Sequence, residues 1–284
     1  MLCVTSRWRR RYNEEEQTQS SVYAGARHNL GANIANIGEV ESRVTMQTFG
    51  QLKGIFEMEC VMMFRDRKEA GHLLARKLAK YANREDVLVL ALPRGGVPVG
   101  FEVATALNVP LDILVVRKLG VPGHEELAMG AIATGGVRVL NEEVISQCGI
   151  SDHDFEAIST REQSELRRRE RAYRGDAAPP QISGHRIILV DDGIATGSTM
   201  RAAIAALRQQ SPSKVVIAVP TAPLSSCDEL RKFADEVVAV MTPEPFYAVG
   251  FSYAIFDQTS DEEVRQLFDL SRHQQHKTPV EMPA

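Results

Sequence analysis

Apolar positions along residues 66–241 follow two alternating patterns, one of helical period and one of short continuous runs. Apolar side chains recur at helical spacing behind Asp66 and Glu69, which predicts a capped amphipathic helix from residue 66. The continuous runs, typical of buried strands, lie at 87–92, 111–116, 186–190, 214–219 and 237–241, and the helical patterns between them lie at 97–107, 199–207 and 223–233. Strands that alternate with helices predict an α/β fold in which a central parallel sheet is flanked by helices.

A charged stretch at 151–174 separates the two halves of this pattern. It opens with Ser151 and Asp154 at capping spacing and contains a run of four arginines and one glutamate at 167–171. We interpret it as a long surface helix with a solvated charged face, and a basic contact surface is the alternative.

Residues 1–61 differ from the rest of the chain. An arginine-rich start is followed by acidic and then by polar, Gly- and Asn-containing sequence without a sustained period, which predicts a mostly disordered extension. No uninterrupted apolar segment follows the basic start, so a secretory signal is not expected. Because Met62 and Met63 stand just before the first patterned segment, a true start there is an alternative. We expect one domain over 62–270 and a polar tail over 271–284.

Composition narrows the classes of partner. The formal net charge is -4, so neither nucleic acid nor an anionic membrane surface is an expected partner. The apolar runs are far shorter than the roughly 20 residues of a membrane-spanning helix. The four cysteines are widely spaced, which indicates neither a zinc site nor a disulfide framework and fits a cytoplasmic location.

The most informative segment, residues 187–200, consists of an apolar strand, two acids, a turn rich in glycine and hydroxyl groups, and the start of a helix. Ligands of open α/β sheets bind at the carboxyl ends of strands, and a helix N-terminus there favours a phosphate. Adjacent carboxylates suit sugar hydroxyls, bound directly or through Mg²⁺ and its waters. The segment therefore predicts a site for a sugar phosphate.

Two other interpretations of this segment are weaker. A Walker P-loop requires a lysine where Ser198 stands. A purely structural strand-to-helix turn would use Thr196 or Ser198 as a cap but would leave the two consecutive acids unexplained.

The segment resembles the signature of type I phosphoribosyltransferases, which bind 5-phosphoribosyl-1-pyrophosphate (PRPP) with Mg²⁺. The resemblance implies that Asp191 and Asp192 face the ribose hydroxyls and serve Mg²⁺, in part through water. It also implies that the loop around the 5-phosphate consists of Ala195, Thr196, Gly197, Ser198 and Thr199.

The resemblance extends to a group of bacterial proteins whose chains read LPRGG, VRKLG, PGHEELA, ILVDDGIATG and TPEPFYAVG in this order, and it covers this chain nearly end to end from Met63. It implies that Arg94, Gly95 and Gly96 form a pyrophosphate loop, with a strained cis peptide expected at Arg94–Gly95. An ordinary turn between strand and helix is the alternative.

Residues 117–133 resemble the flexible catalytic loop of the family and the hairpin that carries it. Arg117 and Lys118, expected just past a strand end, would neutralise the departing pyrophosphate. Gly120 and Gly123 would let the loop move. The side chain of Glu125 or Glu126 would supply a base. The alternative is a mobile exposed connection.

The resemblance implies a cytoplasmic glycosyltransferase of nucleotide metabolism that transfers the phosphoribosyl group of PRPP to a small-molecule acceptor. Members that use 6-oxopurines carry a further acid where this chain has Ala195, which argues against hypoxanthine or guanine. A small hood near 242–256 would hold the acceptor, with Phe246 and Tyr247 either stacking on a planar base or packing as core aromatics. A PRPP-binding regulatory protein without catalysis is the alternative function. A homodimer is expected only because dimers are the commonest assembly.

Overall fold

The computed structural model describes residues 63–175 and 177–275. In chain order these residues form α1 (Arg67–Lys77), β1 (Val87–Ala91), α2 (Gly96–Leu107), β2 (Leu111–Ile113), β3 (Val116–Val121), β4 (His124–Ala133), β5 (Val137–Leu140), α3 (Glu142–Gln147), α4 (Asp152–Arg174), β6 (Arg186–Val190), α5 (Ser198–Arg208), β7 (Lys214–Thr221), α6 (Leu224–Leu230), β8 (Glu236–Met241) and α7 (Asp261–Gln275). Short 3₁₀ helices lie at Ala79–Tyr81 and Val249–Ser252. No helix among these residues is long and apolar enough to cross a lipid bilayer.

The main sheet has five strands in the order β2-β1-β6-β7-β8, and every neighbouring pair is parallel. β1 and β6 are buried almost throughout, as expected for strands covered on both faces. Successive side chains of a strand point to opposite faces, so Val87, Val89 and Ala91 of β1 pack under α1, α2, α4 and α7. Leu88 and Leu90 pack on the other side, under α5 and α6. The predicted parallel α/β architecture is confirmed.

The second sheet is antiparallel and contains β3, β4 and β5. It corrects the prediction of one strand over 111–116, because the chain leaves the parallel sheet after Ile113 and pairs with β4 from Val116 onward. Thr134 fixes this departure, since its hydroxyl accepts from the Val115 amide at 2.9 Å and its own amide donates to the Val115 carbonyl at 2.9 Å. The predicted hairpin is present and spans nearly the whole of 117–133.

The predicted long helix is α4, whose N-cap Ser151 accepts from the Asp154 amide at 3.1 Å. It is not a purely exposed helix, because one face buries Phe155, Leu166 and Tyr173 in the core beneath the main sheet. The run 167–171 lies in its C-terminal half, where Arg168 and Arg169 both pair with Glu165 at 2.7 Å. Part of the positive charge of this run is therefore neutralised within the helix.

Candidate functional site

The strand order reverses between β1 and β6. After β1 the chain adds β2 on one side, and it later adds β6 on the other side, so the connections after β1 and β6 leave the sheet edge in different directions. Such a switch point opens a crevice beside the carboxyl ends of the strands, where α/β proteins bind ligands. Ala91 and Val190 pair at this edge, which brings the segments that follow the two strands together.

Asp191 and Asp192 directly follow β6 and lie partly buried at this crevice. The Asp192 amide donates to Asp191 Oδ1 at 2.9 Å, so the first acid is fixed by the backbone of the second. Burial, and then the neighbouring charge of Asp192, raise the pKa of Asp191 well above its ordinary value. Two carboxylates held this close favour a ligand that brings hydrogen-bond donors or positive charge.

Arg67, the first residue of α1, balances part of this charge. Its Nε lies 2.9 Å and its Nη2 2.8 Å from Asp192 Oδ2. Burial raises the pKa of Asp192, and the Arg67 guanidinium opposes that rise. Arg67 was not predicted as a site residue, although a cation in the first turn of a helix, where anions are favoured, is a weak signal of a tertiary role.

The predicted phosphate loop runs from Ala195 into the start of α5. Gly197 has φ 71° and precedes the first helical residue, Ser198, so the chain enters the helix through a left-handed turn that suits glycine. The loop is fixed by a contact with α6, because the Ser226 hydroxyl donates to the Ala195 carbonyl at 2.6 Å. Thr196 and Thr199 are exposed, and the first amides of a helix have no partner within the helix. This arrangement can bind an anion.

The connection after β1 packs directly against the two acids. A Cβ at Gly95 would overlap the Asp192 carboxylate, and one at Gly96 would lie 2.8 Å from the Asp191 Cα and from the Val190 carbonyl. Glycine is therefore required at both positions by close approach. The predicted pyrophosphate loop and the acid pair form one continuous surface.

The cis peptide of this loop lies at Pro93–Arg94, so the expected position at Arg94–Gly95 is wrong. Gly95 already has helical backbone angles, and the Arg94 carbonyl accepts from the Val97 amide at 3.1 Å. The Arg94–Gly95 peptide thus belongs to the first turn of α2, and the change of direction falls one residue earlier.

The Arg94 side chain reaches toward α7, where its Nη1 lies 3.6 Å from Asp261 Oδ1. The Tyr173 hydroxyl donates to the same carboxylate oxygen at 2.9 Å. Burial, and then this hydrogen bond, raise the pKa of Tyr173 to about 12. Asp261 and Tyr173 were not predicted as neighbours of the site, because nothing in the local sequence relates them to the loop after β1.

Arg117 and Lys118 lie within β3, which corrects their expected position just past a strand end. Pairing with Ile132 and Ala131 of β4 extends the strand beyond these residues. Arg117 is held by Glu162 of α4, with Nη2 and Nε at 2.5 and 2.8 Å from Oε2. Gly123 has φ 76° at the turn of the hairpin. The predicted base residues, Glu125 and Glu126, have side chains outside the described part of the structure.

The predicted acceptor segment follows β8. Tyr247 is 72% exposed, which argues against its role as a core aromatic, and its ring lies 5.9 Å from that of Phe251. Phe246 is half-buried. Phe256 stacks on Tyr253 with ring centroids 4.9 Å apart, so the segment offers aromatic surface near the acid pair.

The residues present fit Mg²⁺ that arrives with a phosphate ligand. Within 63–175 and 177–275, no three His, Cys, Asp or Glu side chains gather as a metal cage. Proteins commonly hold Mg²⁺ by one or two carboxylates together with substrate phosphates and water. Asp191 and Asp192, which lie side by side after β6, provide a pair of carboxyl groups of that kind.

Comparison with known proteins agrees with this geometry. Residues 65–254, more than half of the chain, match the family model of the phosphoribosyl transferase domain. Two proteins of Mycobacterium tuberculosis, from strains CDC 1551 and H37Rv, are named "putative phosphoribosyl transferase" and are each 46% identical over 207 residues. The match covers 73% of this chain and 46% of each relative, so the chain spans about half the length of these relatives.

A solved structure matches the chain over nearly its own whole length. The crystal structure of TT1426 from Thermus thermophilus is 41% identical, with a TM-score of 0.65, and the match covers 73% of this chain and 98% of that one. The match of the family model, the identity with these relatives and the shared α/β architecture lead to the same conclusion: the chain belongs to the phosphoribosyl transferase family.

Proposed function

We propose that this protein is a phosphoribosyltransferase that binds PRPP with Mg²⁺, transfers the 5-phosphoribosyl group to a small-molecule acceptor and releases pyrophosphate. One observation carries the proposal. The acid pair after β6, the anion-binding start of α5 and the glycine loop after β1 meet at the switch point of the sheet. A ligand with a sugar diol between two phosphate groups matches this order of acceptors and donors.

In this proposal each part of the crevice has one task. Asp191 and Asp192 accept hydrogen bonds from the ribose hydroxyls. Backbone amides and hydroxyl groups of 195–199 donate to the 5-phosphate. Arg94 and the backbone of Gly95 and Gly96 hold the pyrophosphate. Bound Mg²⁺ would supply positive charge that stabilises the leaving group, and the acid pair would hold it, in part through water.

The reaction needs little covalent chemistry from the protein. The acceptor attacks C1 of the ribose while the bond from C1 to pyrophosphate breaks, so positioning and charge stabilisation supply most of the catalysis. Arg117 and Lys118 on the hairpin, with Glu125 or Glu126 as base, remain the proposed further contributors. Ala195 offers no acid in the phosphate loop, so a 6-oxopurine is not the acceptor we propose. The exposed ring of Tyr247 and the half-buried ring of Phe246 suit a planar acceptor.

A PRPP-binding regulatory protein is the second candidate, and one contact favours it. Arg117, proposed to assist pyrophosphate departure, is bound to Glu162 of α4 instead of reaching toward the crevice. An enzyme of this kind would have to break the contact between Arg117 and Glu162 during its cycle, so that Arg117 could reach the pyrophosphate.

The experiment is a pyrophosphate-release assay of the full chain with PRPP and Mg²⁺. Purines, pyrimidines and small amines are added one at a time, beside the Asp191→Asn, Asp192→Asn variant as control for contaminating enzymes. Release that depends on one acceptor and is lost in the variant supports the transferase and gives its substrate class. No release with any acceptor, together with PRPP binding that the variant lacks, favours the regulatory protein.

A further inference from the structure

Arg67 joins three separate parts of the chain at the edge of the crevice. Two of its nitrogens contact Asp192 Oδ2, and its Nη1 donates to the backbone carbonyl of Asp257 at 2.7 Å. Its guanidinium carbon lies 4.0 Å from the centre of the Phe256 ring. One side chain at the start of α1 therefore contacts both the acid pair after β6 and the segment after β8.

The contacts of Arg67 lead back to Asp192 through two aromatic residues. Phe256, beneath the guanidinium, stacks on Tyr253, and the Tyr253 hydroxyl donates to the Asp192 backbone carbonyl at 2.5 Å. Asp192 is thus held twice, through its side chain by Arg67 and through its backbone by Tyr253. Moving Asp192 would disturb residues 253–257, and moving that segment would disturb Asp192.

The pair is well shielded from water. The side chains of Arg67 and Asp192 are 13% and 15% exposed. A shielded ion pair is screened less by solvent than an exposed one, and the fixed plane of a guanidinium sets the position of its partner more sharply than an ammonium does. Arg67 also engages Oδ2 alone, through two nitrogens, so Oδ1 takes no part in this ion pair.

We propose that Arg67 is a positioning residue for PRPP binding: it fixes the carboxylate of Asp192, turns its Oδ1 toward the ribose hydroxyls and couples this carboxylate to residues 253–257. This inference rests on the proposed function. Arg67 acts through Asp192 and does not itself contact PRPP.

The backbone offers an independent readout of the coupling. The Ala254 amide donates to the Phe64 carbonyl at 2.7 Å and the Ile255 amide to the Arg65 carbonyl at 2.8 Å, which pairs residues 254 and 255 with the residues just before α1. Hydrogen exchange at these two amides reports how firmly the segment is held, with no PRPP present.

The test compares Arg67→Gln, Arg67→Lys, Asp192→Asn and the double variant Arg67→Gln, Asp192→Asn in the full chain. The matched control is Arg65→Gln, because Arg65 is two residues away, is 66% exposed and pairs only with its neighbour Asp66 among the ion pairs of the described residues. Each variant is titrated with PRPP and Mg²⁺ and is followed by hydrogen exchange at 254 and 255.

We expect Arg67→Gln to weaken PRPP binding about tenfold or more, Arg67→Lys to restore part of the affinity, and Arg65→Gln to match the wild type. Because Arg67 acts through Asp192, Arg67→Gln should add little to the loss caused by Asp192→Asn. Exchange at 254 and 255 should rise in Arg67→Gln and show the same lack of additivity with Asp192→Asn.

Three results would overturn the inference. Additive losses of PRPP affinity in the double variant would mean that Arg67 only supports the fold. Affinity and exchange equal to those of Arg65→Gln would remove any role. If the wild type binds no PRPP, the proposed function fails, and hydrogen exchange alone then tests the coupling between Arg67 and Asp192. Additive effects of Arg67→Gln and Asp192→Asn on exchange at 254 and 255 would refute that coupling.

Discussion

At the scale of single residues, Gly95 lies so close to the Asp192 carboxylate that an added Cβ would overlap it. We expect Gly95→Ala to abolish PRPP binding, because the added methyl group would have to displace Asp192, which Arg67 and Tyr253 both hold. Titration with PRPP in the presence of Mg²⁺ measures this effect.

The control for Gly95→Ala is Gly149→Ala, since Gly149 has φ 62° and open space around its Cβ position. Alanine there strains the backbone by about 1 kcal/mol without reaching the crevice. PRPP affinity that falls equally in both variants would show that general destabilisation, and not the overlap with Asp192, is responsible.

The site residues that could be predicted were those marked by local order along the chain. Asp191, Asp192 and the loop 195–199 are contiguous with an apolar strand and a helix, so neighbouring residues alone indicate an anion site beside two acids. Arg67 and Asp261 could not be found in this way, because they reach the site from the ends of α1 and α7. Their contacts depend on how helices cross the sheet, which a single sequence does not specify.

At the scale of elements, Glu236 ties the start of β8 to β7 and to the 3₁₀ helix after α1. It accepts from Lys214 at 2.8 Å, from Lys80 at 2.7 Å and from the Tyr81 hydroxyl at 2.7 Å. Partial burial raises the pKa of Glu236, but these three hydrogen bonds outweigh it and lower the pKa to about 2. The ionised form therefore stabilises the folded state.

We expect Glu236→Gln to lower the free energy of unfolding by about 2 kcal/mol at pH 7. The folded pKa lies below the unfolded value, so this contribution is fully present above about pH 4.5 and is lost as the pH falls toward 2. Urea unfolding of both proteins at pH 7 and pH 3 measures the difference. A gap between the two proteins that stays constant with pH would contradict the assignment.

The hairpin of β3 and β4 depends on α4 through Arg117 and Glu162. Glu162→Gln should destabilise the protein by about 2 kcal/mol, because Glu162 is 10% exposed in its side chain and Arg117 would lose a charged partner. Glu156→Gln is the matched control, since Glu156 also pairs an α4 carboxylate with an arginine of the second sheet but is 63% exposed. We expect its effect to stay below about 1 kcal/mol. Equal losses in urea unfolding would refute the role of burial.

The elements of the parallel sheet followed from the sequence more closely than those of the hairpin. The strand at 186–190 and the helix that begins within one residue of 199 have continuous patterns with clear ends. The run 111–116 is equally continuous, yet the chain changes sheets at Leu114 and Val115. β2 and β3 both bury apolar side chains. The hydrophobic pattern therefore does not mark where the chain stops pairing with β1 and begins to pair with β4.

At the scale of the whole molecule, α7 belongs to the same core as the sheet, although the match of the family model ends at residue 254. Val264 and Phe268 are buried at 0% and 2% exposure in the core beneath α1, α2 and α4. Deleting large buried side chains costs about 2–5 kcal/mol each, which is comparable to the total stability of a domain.

A chain that ends after residue 275 should therefore unfold cooperatively, at the same urea concentration as the full chain. One that ends after residue 254 should lose its cooperative transition. Circular dichroism during urea unfolding checks both. A cooperative transition in the shorter chain would show that the domain does not need α7.

The N-terminal limit of the domain predicted over 62–270 remains a prediction. Its C-terminal limit lies inside α7, which continues to Gln275. The helix at 261–275 begins with three acids, a favourable first turn, but its last part was predicted to belong to a polar tail. The part of α7 after residue 270 is rich in polar residues, so its sequence does not stand out as helical.

The most direct test of the account is a calorimetric titration of the full chain with PRPP in the presence of Mg²⁺, beside the Asp191→Asn, Asp192→Asn variant. We expect saturable binding by the wild type and loss of binding by the variant, which should keep the same cooperative unfolding transition. Absence of binding by the wild type, or equal binding by a folded variant, would contradict the assignment of PRPP to the crevice between β1 and β6.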